Sequence, residues 1–225
     1  MEKYILPTIC NIIYHTMLPV SKYITVGLVI LIICILVALR LVAHPSETMY
    51  QKSTVDGKIY LIQKAANEPL ESLILSANAL ATINQRITSL IAILKVKYEK
   101  DGKWGYIIDI LEKDYSPKMI SEAAIDKRYT SYTVNKRDVH VCLRTRDKQE
   151  NVYDINTLMY VMLHELAHMG NYTRDLVPIE GHGEEFKSIF AFLVNEAITA
   201  GLYEKVDYTA NPQEYCGMMI TSSIV

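Results

Sequence analysis

The sequence predicts an α+β fold: a compact domain with a small antiparallel sheet and a His-Glu-x-x-His helix, behind an N-terminal transmembrane helix. Three observations predict it. An uncharged apolar run extends from Tyr23 to Leu39. Downstream, segments with apolar residues at helical spacing flank one β-branched and aromatic stretch, Thr130 to Arg144. Finally, two histidines four residues apart, His164 and His168, fall inside one of the helical segments.

Composition sets the frame. The chain has 225 residues, about one and a half domains by length, and is 50% hydrophobic with mean hydropathy +0.11. The excess sits at the front, where 30 of the first 43 residues are hydrophobic. Charged residues make up 21% and the net charge is −2, which excludes a disordered chain and a strongly basic nucleic-acid binder. Lys3, Lys22 and Arg40 against Glu2 leave the first 43 residues at +2, so the body carries −4 and nucleic acid is not an expected partner.

Residues 1–22 are apolar but interrupted by Pro7, Asn11, His15 and Pro19, which suits an interfacial segment better than a span. Residues 23–43 give about 20 apolar positions, the length that crosses roughly 30 Å of hydrocarbon, with Arg40 able to snorkel. The expectation is a single-pass protein of a virion or host membrane with the lipid bilayer as a partner. Residues 44–66 read as a polar juxtamembrane linker with a Val55-Asp56-Gly57 turn and a short strand at Ile59 to Ile62.

The main domain is expected over 67–210. Asn67-Glu68-Pro69 starts a long helix whose apolar positions run from Leu70 through Leu73, Ala77, Leu80, Ile83, Ile87 and Ile91 to about Tyr98. Further helical pieces are expected around Tyr106 to Leu111 and after Ser116-Pro117. Thr130 to Arg144 reads as two antiparallel strands about an Asn135-Lys136-Arg137-Asp138 turn. Asp154 caps a helix with Leu158, Met159, Met162, Leu163 and Leu166 on its apolar face, and a last helix runs from about Gly183 to Gly201.

The chemistry lies in His164-Glu165-Leu166-Ala167-His168. Residues four apart share a helical face, so both imidazoles can bind one metal, with Glu165 beside the metal's water as general base. Chance predicts roughly 0.01 such motifs for this composition. A catalytic zinc site needs a third ligand and an open fourth position. His182, at the start of the next helix, is the preferred third ligand; Glu184 and Glu185 are nearby alternatives. One Zn2+ per chain and hydrolysis of a peptide bond in a protein or peptide substrate follow as the expected cofactor and reaction. The strand Val139 to Leu143 is expected to hold the extended substrate through its backbone.

His164-Glu165-x-x-His168 followed by Gly181-His182-Gly183-Glu184-Glu185-Phe186-Lys187 resembles the WLM and SprT-like metallopeptidases, small zincins whose third ligand is a His just before a Phe-bearing helix. Asn156 to Val161 and the tail Asn211-Pro212-x-Glu214-Tyr215-Cys216-Gly217-Met218 resemble more specifically the metallopeptidases inferred in large double-stranded DNA viruses. The resemblance covers about residues 115–220, with the central motifs at 115–203. It implies the zincin-like fold, the zinc, and the roles of His164, Glu165, His168 and His182. Cellular members act on proteins crosslinked to DNA, a substrate that the acidic body disfavours; viral capsid or membrane proteins are the alternative partners.

In the tail, 211–225, Tyr215 could donate to an oxyanion and Cys216 could ligate zinc, although a structural tail packed on the domain is the more economical reading. Cys142 and Cys216 could pair only if the body faces an oxidising compartment, and two free thiols are the default. The competing function is a zinc-stabilised structural or interaction protein without turnover. Glu165 argues against it, because a purely structural site gains nothing from a base beside the metal.

Overall fold

The computed structural model describes residues 22–38, 48–65, 67–123, 130–136, 138–147 and 149–225. The chain divides into two units, Met1–Ser46 and Glu47–Val225.

In the first unit, residues 22–38 form helix α1, with every side chain exposed. The expected transmembrane helix is corrected here: among the described residues no helix is long and apolar enough to cross a membrane. The 17 helical residues of α1 reach about 25 Å at 1.5 Å per residue, short of roughly 30 Å of hydrocarbon. The single-pass membrane localisation falls with it. The apolar segment read at 1–22 lies, apart from Lys22, outside the described residues, as do positions 39–43.

The second unit is α+β. Its first element is a hairpin, β1 (Thr48–Lys52) antiparallel to β2 (Ile59–Gln63), occupying most of the stretch read as a linker. The alternation predicted for β2 is present, with Tyr60 and Ile62 buried. In β1, Met49 and Gln51 are only half-buried, which is why the segment reads as polar. The hairpin is pinned to the next helix, α2 (Leu70–Tyr98), where Asn78 Oδ1 accepts from the Ser53 hydroxyl at 2.9 Å and the Thr54 N–H at 2.8 Å. Leu73, Ala77, Leu80, Ile83, Ile87 and Leu94 form the buried stripe of α2, as their spacing predicts.

Asp101 Oδ1 accepts from the N–H groups of Lys103 (2.8 Å) and Trp104 (2.6 Å) and so starts α3 (Trp104–Asp114). A Cβ at Gly105 would stand 2.7 Å from the Tyr98 carbonyl oxygen, so glycine is what lets the two helices join so closely. The Ser116-Pro117 signal opens a single 3-10 turn, Pro117–Met119, rather than a helix, and the chain runs straight into β3 (Ile120–Glu122). β4 (Tyr132–Val134) and β5 (Asp138–Val141) are antiparallel, joined through left-handed Asn135 and Lys136. β3 pairs in parallel with β5, giving the order β3-β5-β4. The sheet is therefore mixed, not antiparallel, and β5 is its central strand. Val139 to Leu143 is thus no exposed edge; the free edge beside the metal-motif helix belongs to β4.

α4 (Ile155–Gly170) is capped by Asp154, whose carboxylate accepts from Asn156 N–H at 2.8 Å and Thr157 N–H at 3.2 Å. Leu158, Met159, Met162, Leu163 and Leu166 are completely buried against α5 (Glu184–Thr199) and the earlier helices. The tail folds into a hairpin, β6 (Gln213–Tyr215) and β7 (Met218–Ile220), turned by Cys216 and Gly217 at positive φ. Cys142 and Cys216 are joined by a disulfide, so the pairing holds in place of the default of two free thiols. The two cysteines lie 74 positions apart, so their pairing is a tertiary fact that local sequence does not carry.

One buried charge cluster ties the β1–β2 hairpin to the sheet. Arg144 pairs with Glu68 and with Glu122 (2.8 Å) and donates to the Gln63 carbonyl (3.0 Å), while Glu122 also accepts from the Gln63 N–H (2.7 Å). Burial pushes Glu122 up to about 7 against the opposing pull of Arg144 and Gln63. Arg144→Met leaves two buried carboxylates without their cation and is expected to remove about 3–5 kcal/mol of stability. Glu122, already raised by burial and now without the cation that opposed it, binds its proton more tightly in the folded than in the unfolded chain, so the loss, read from urea midpoints, is larger at pH 8 than at pH 5.

Candidate metal centre

α4 brings its two histidines to one face by periodicity alone, and both are half-buried. The third enters from the irregular connection between α4 and α5, which is itself fixed: buried Asn171 accepts at its carbonyl from the Ile179 N–H (3.0 Å), and Tyr172 and Pro178 form an isolated bridge. Gly181, at φ +78°, turns the chain so that exposed His182 faces the α4 pair. The Nε2 atoms of His164, His168 and His182 lie 3.2, 3.1 and 3.1 Å apart. Three nitrogens bound to one tetrahedral zinc at 2.0–2.1 Å stand about 3.3 Å apart, so the donor set fits that ion. Glu184 and Glu185 take no part: the first pairs with Lys187 at 2.8 Å and the second lies 3.6 Å from Lys103.

Phe186, on the first turn of α5, packs against all three imidazoles, with ring centroids at 4.9, 4.3 and 4.7 Å from His164, His168 and His182. Burial, and then the neighbouring imidazoles, depress His164 to about 3. Burial, His182 and then Lys136 depress His168 to about 4. Both rings are therefore neutral near pH 7, the state in which imidazole ligates a metal.

Glu165 is 5% exposed, and burial raises its pKa. The Thr133 hydroxyl, on β4, donates to its Oε2 at 2.6 Å and pulls the other way. Lys136, in the β4–β5 turn, donates to the carbonyls of His168 (2.9 Å) and Asn171 (2.7 Å), placing a cation at the C-terminal end of α4. Sequence reasoning passed over Thr133, Lys136 and the ring contacts of Phe186, because their roles depend on contacts across 32 residues or on tertiary packing.

The other candidates are differently placed. Tyr215 is 2% exposed, and its hydroxyl is engaged with Ser131 Oγ (2.6 Å) and the Cys142 carbonyl (2.9 Å). Cys216 is held in the disulfide and offers no thiolate to a metal. His140 meets Ser121 Oγ at 2.9 Å and stacks on Tyr132, away from the trio.

No family model matches the chain, and no solved structure matches it. An uncharacterized protein of Acanthamoeba polyphaga mimivirus is 35% identical over 207 residues, covering 91% of this chain and 99% of that protein. The chain belongs to this family of large-DNA-virus proteins. An uncharacterized protein of Invertebrate iridescent virus 6 is 25% identical over 156 residues, covering 69% of this chain and 81% of that protein. A further one from Invertebrate iridescent virus 3 is 38% identical over 101 residues, covering 44% of this chain and 58% of that protein. The family thus extends from mimivirus to iridescent viruses.

The depressed imidazoles give a pH signature for the metal-free chain. Unfolded histidines titrate near 6.5, so the unfolded state binds more protons and stability is lost as the pH falls from about 6.5 towards 4. Urea midpoints stepped through that range should show the decline, and His168→Asn should make it shallower.

Proposed function

We propose that this protein is a zinc-dependent metallopeptidase that hydrolyses peptide bonds with Glu165 as general base. The observation that carries the reading is the convergence of three imidazole nitrogens within 3.2 Å beside one buried carboxylate. The resemblance of His164-Glu165-x-x-His168 and Gly181 to Lys187 to WLM and SprT-like metallopeptidases supports the same assignment. Among the described residues the metal-ligating group consists of three histidines, which leaves a tetrahedral ion one position for water or substrate.

His164, His168 and His182 would hold the zinc, with Phe186 packed against all three rings. When bound, zinc supplies Lewis-acid polarisation of the scissile carbonyl and lowers the pKa of water towards about 7. Glu165 accepts the proton of the attacking water. Its burial raises its proton affinity above that of an ordinary carboxylate, bringing it nearer the working pH, and Thr133 holds its other lone pair. The same carboxyl then donates the proton to the departing amine, returning to its starting state. An extended substrate could pair with β4, an edge strand of its sheet that also carries Thr133.

The test is the full chain assayed for zinc content and for cleavage of protein and peptide libraries, with Glu165→Gln as control. One zinc per chain is expected in both, with cleavage lowered at least about 100-fold in the variant. Zinc bound without cleavage of any substrate would leave the metal a structural role, and a chain that binds no zinc would end the reading altogether.

A further inference from the structure

A cavity of about 330 Å³ opens beside the proposed metal centre, and both His164 and Glu165 line it. Its apolar walls are Tyr160 and Val161 from α4, Phe190 from α5, and Met218, Met219 and Ile220 from β7, with hydroxyl groups of Thr130, Ser131, Thr221 and Ser222 at the remaining sides. The volume lies at the small end of ligand pockets. Among the described residues neither lysine nor arginine lines it, and Glu165 is the one acidic group.

The β7 wall is held from several directions. The disulfide fixes Cys216 to the end of β5 at Cys142. The buried Tyr215 hydroxyl bonds both Ser131 Oγ (2.6 Å) and the Cys142 carbonyl (2.9 Å). Tyr153 accepts from the Cys216 N–H at 2.6 Å. Beyond β7, the Tyr160 hydroxyl accepts from the Ile224 N–H at 3.1 Å, securing the tail to the metal-motif helix. A wall so anchored presents a formed surface while Met218 and Met219 remain 54% exposed, open to a visitor. Their unbranched, polarizable side chains suit varied apolar shapes.

We infer that the β6–β7 hairpin forms one wall of a specificity pocket that seats a large uncharged apolar side chain, such as Leu, Met or Phe, next to the scissile bond of an internal peptide. The inference rests on the metallopeptidase reading for its reaction but not for its binding. Residues at this wall choose the substrate; Met219 in particular is a specificity determinant. Met219→Glu places a carboxylate in the pocket, opposing apolar side chains and favouring Lys.

The experiment has two arms on the full chain. In the first, blocked peptides differing only at the residue next to the cleaved bond are compared for kcat/KM. Leu, Met and Phe should exceed Asp and Lys by on the order of 10-fold or more, and Met219→Glu should invert the Leu-to-Lys ratio with zinc content unchanged. In the second, Glu165→Gln protein carrying labelled methionines is titrated with N-acetylated, C-amidated Leu and Asp peptides. The Met218 and Met219 methyl resonances should shift with the first and not the second. Cleavage without apolar preference, a preference that Met219→Glu leaves untouched, or methyl resonances that ignore the Leu peptide would each overturn the inference. Methyl shifts without turnover in the wild type would uphold the pocket while overturning the peptidase reading.

Discussion

One turn of α4 must face two ways. Leu163, Leu166 and Ala167 are completely buried, which fixes the helix in the core, while His164 and His168 on the same turn stay half open on the other side. Helical periodicity can serve both demands only in one rotational setting of the helix, and the packing of Phe186, Ile189 and Phe190 from α5 selects it. The remaining parts of the centre come to this turn. Thr133 reaches Glu165 from the sheet, Lys136 reaches the helix end from the β4–β5 turn, and His182 arrives through a connection braced by Asn171.

What the sequence disclosed was what is local. The i, i+4 pair, the Asp154 cap, the stripe along α2 and the β4–β5 hairpin each follow from spacing within a few residues, and each is present. His182 was also legible, through the Gly181-His182-Gly183 approach to a Phe-bearing helix. Pairings between distant segments were not legible. β3 is three residues long and its partner lies 19 positions away, beyond any periodicity, so the parallel pairing went unseen and the sheet was read as purely antiparallel. β1 carries too little apolar surface to be distinguished from a linker. The apolar run at 23–43 was read as a bilayer span from hydropathy alone, whereas a span also requires helical length, and among the described residues no helix is long and apolar enough.

Two kinds of polar burial coexist in the body, and they act differently. The Arg144 cluster is buried and its charge is balanced by the surrounding glutamates, so it fixes how the β1–β2 hairpin and the sheet meet. At the metal centre, desolvation acts on groups left beside an opening: His164 and His168 are driven neutral and Glu165 is driven towards protonation. The first arrangement satisfies its charges internally. The second holds imidazole lone pairs and a carboxylate ready for something from outside.

The disulfide has a topological consequence. Cys142 and Cys216 enclose α4, the connection to His182 and the whole of α5 within one covalent loop. Leu176 and Val177, 59% and 55% exposed in that connection, are its most accessible large apolar residues. A single backbone cut there would place His164 and His168 on one fragment and His182 on the other. Each fragment would nevertheless keep one of the paired cysteines, so the ligand trio would stay tethered and the nicked protein would separate only under reducing conditions.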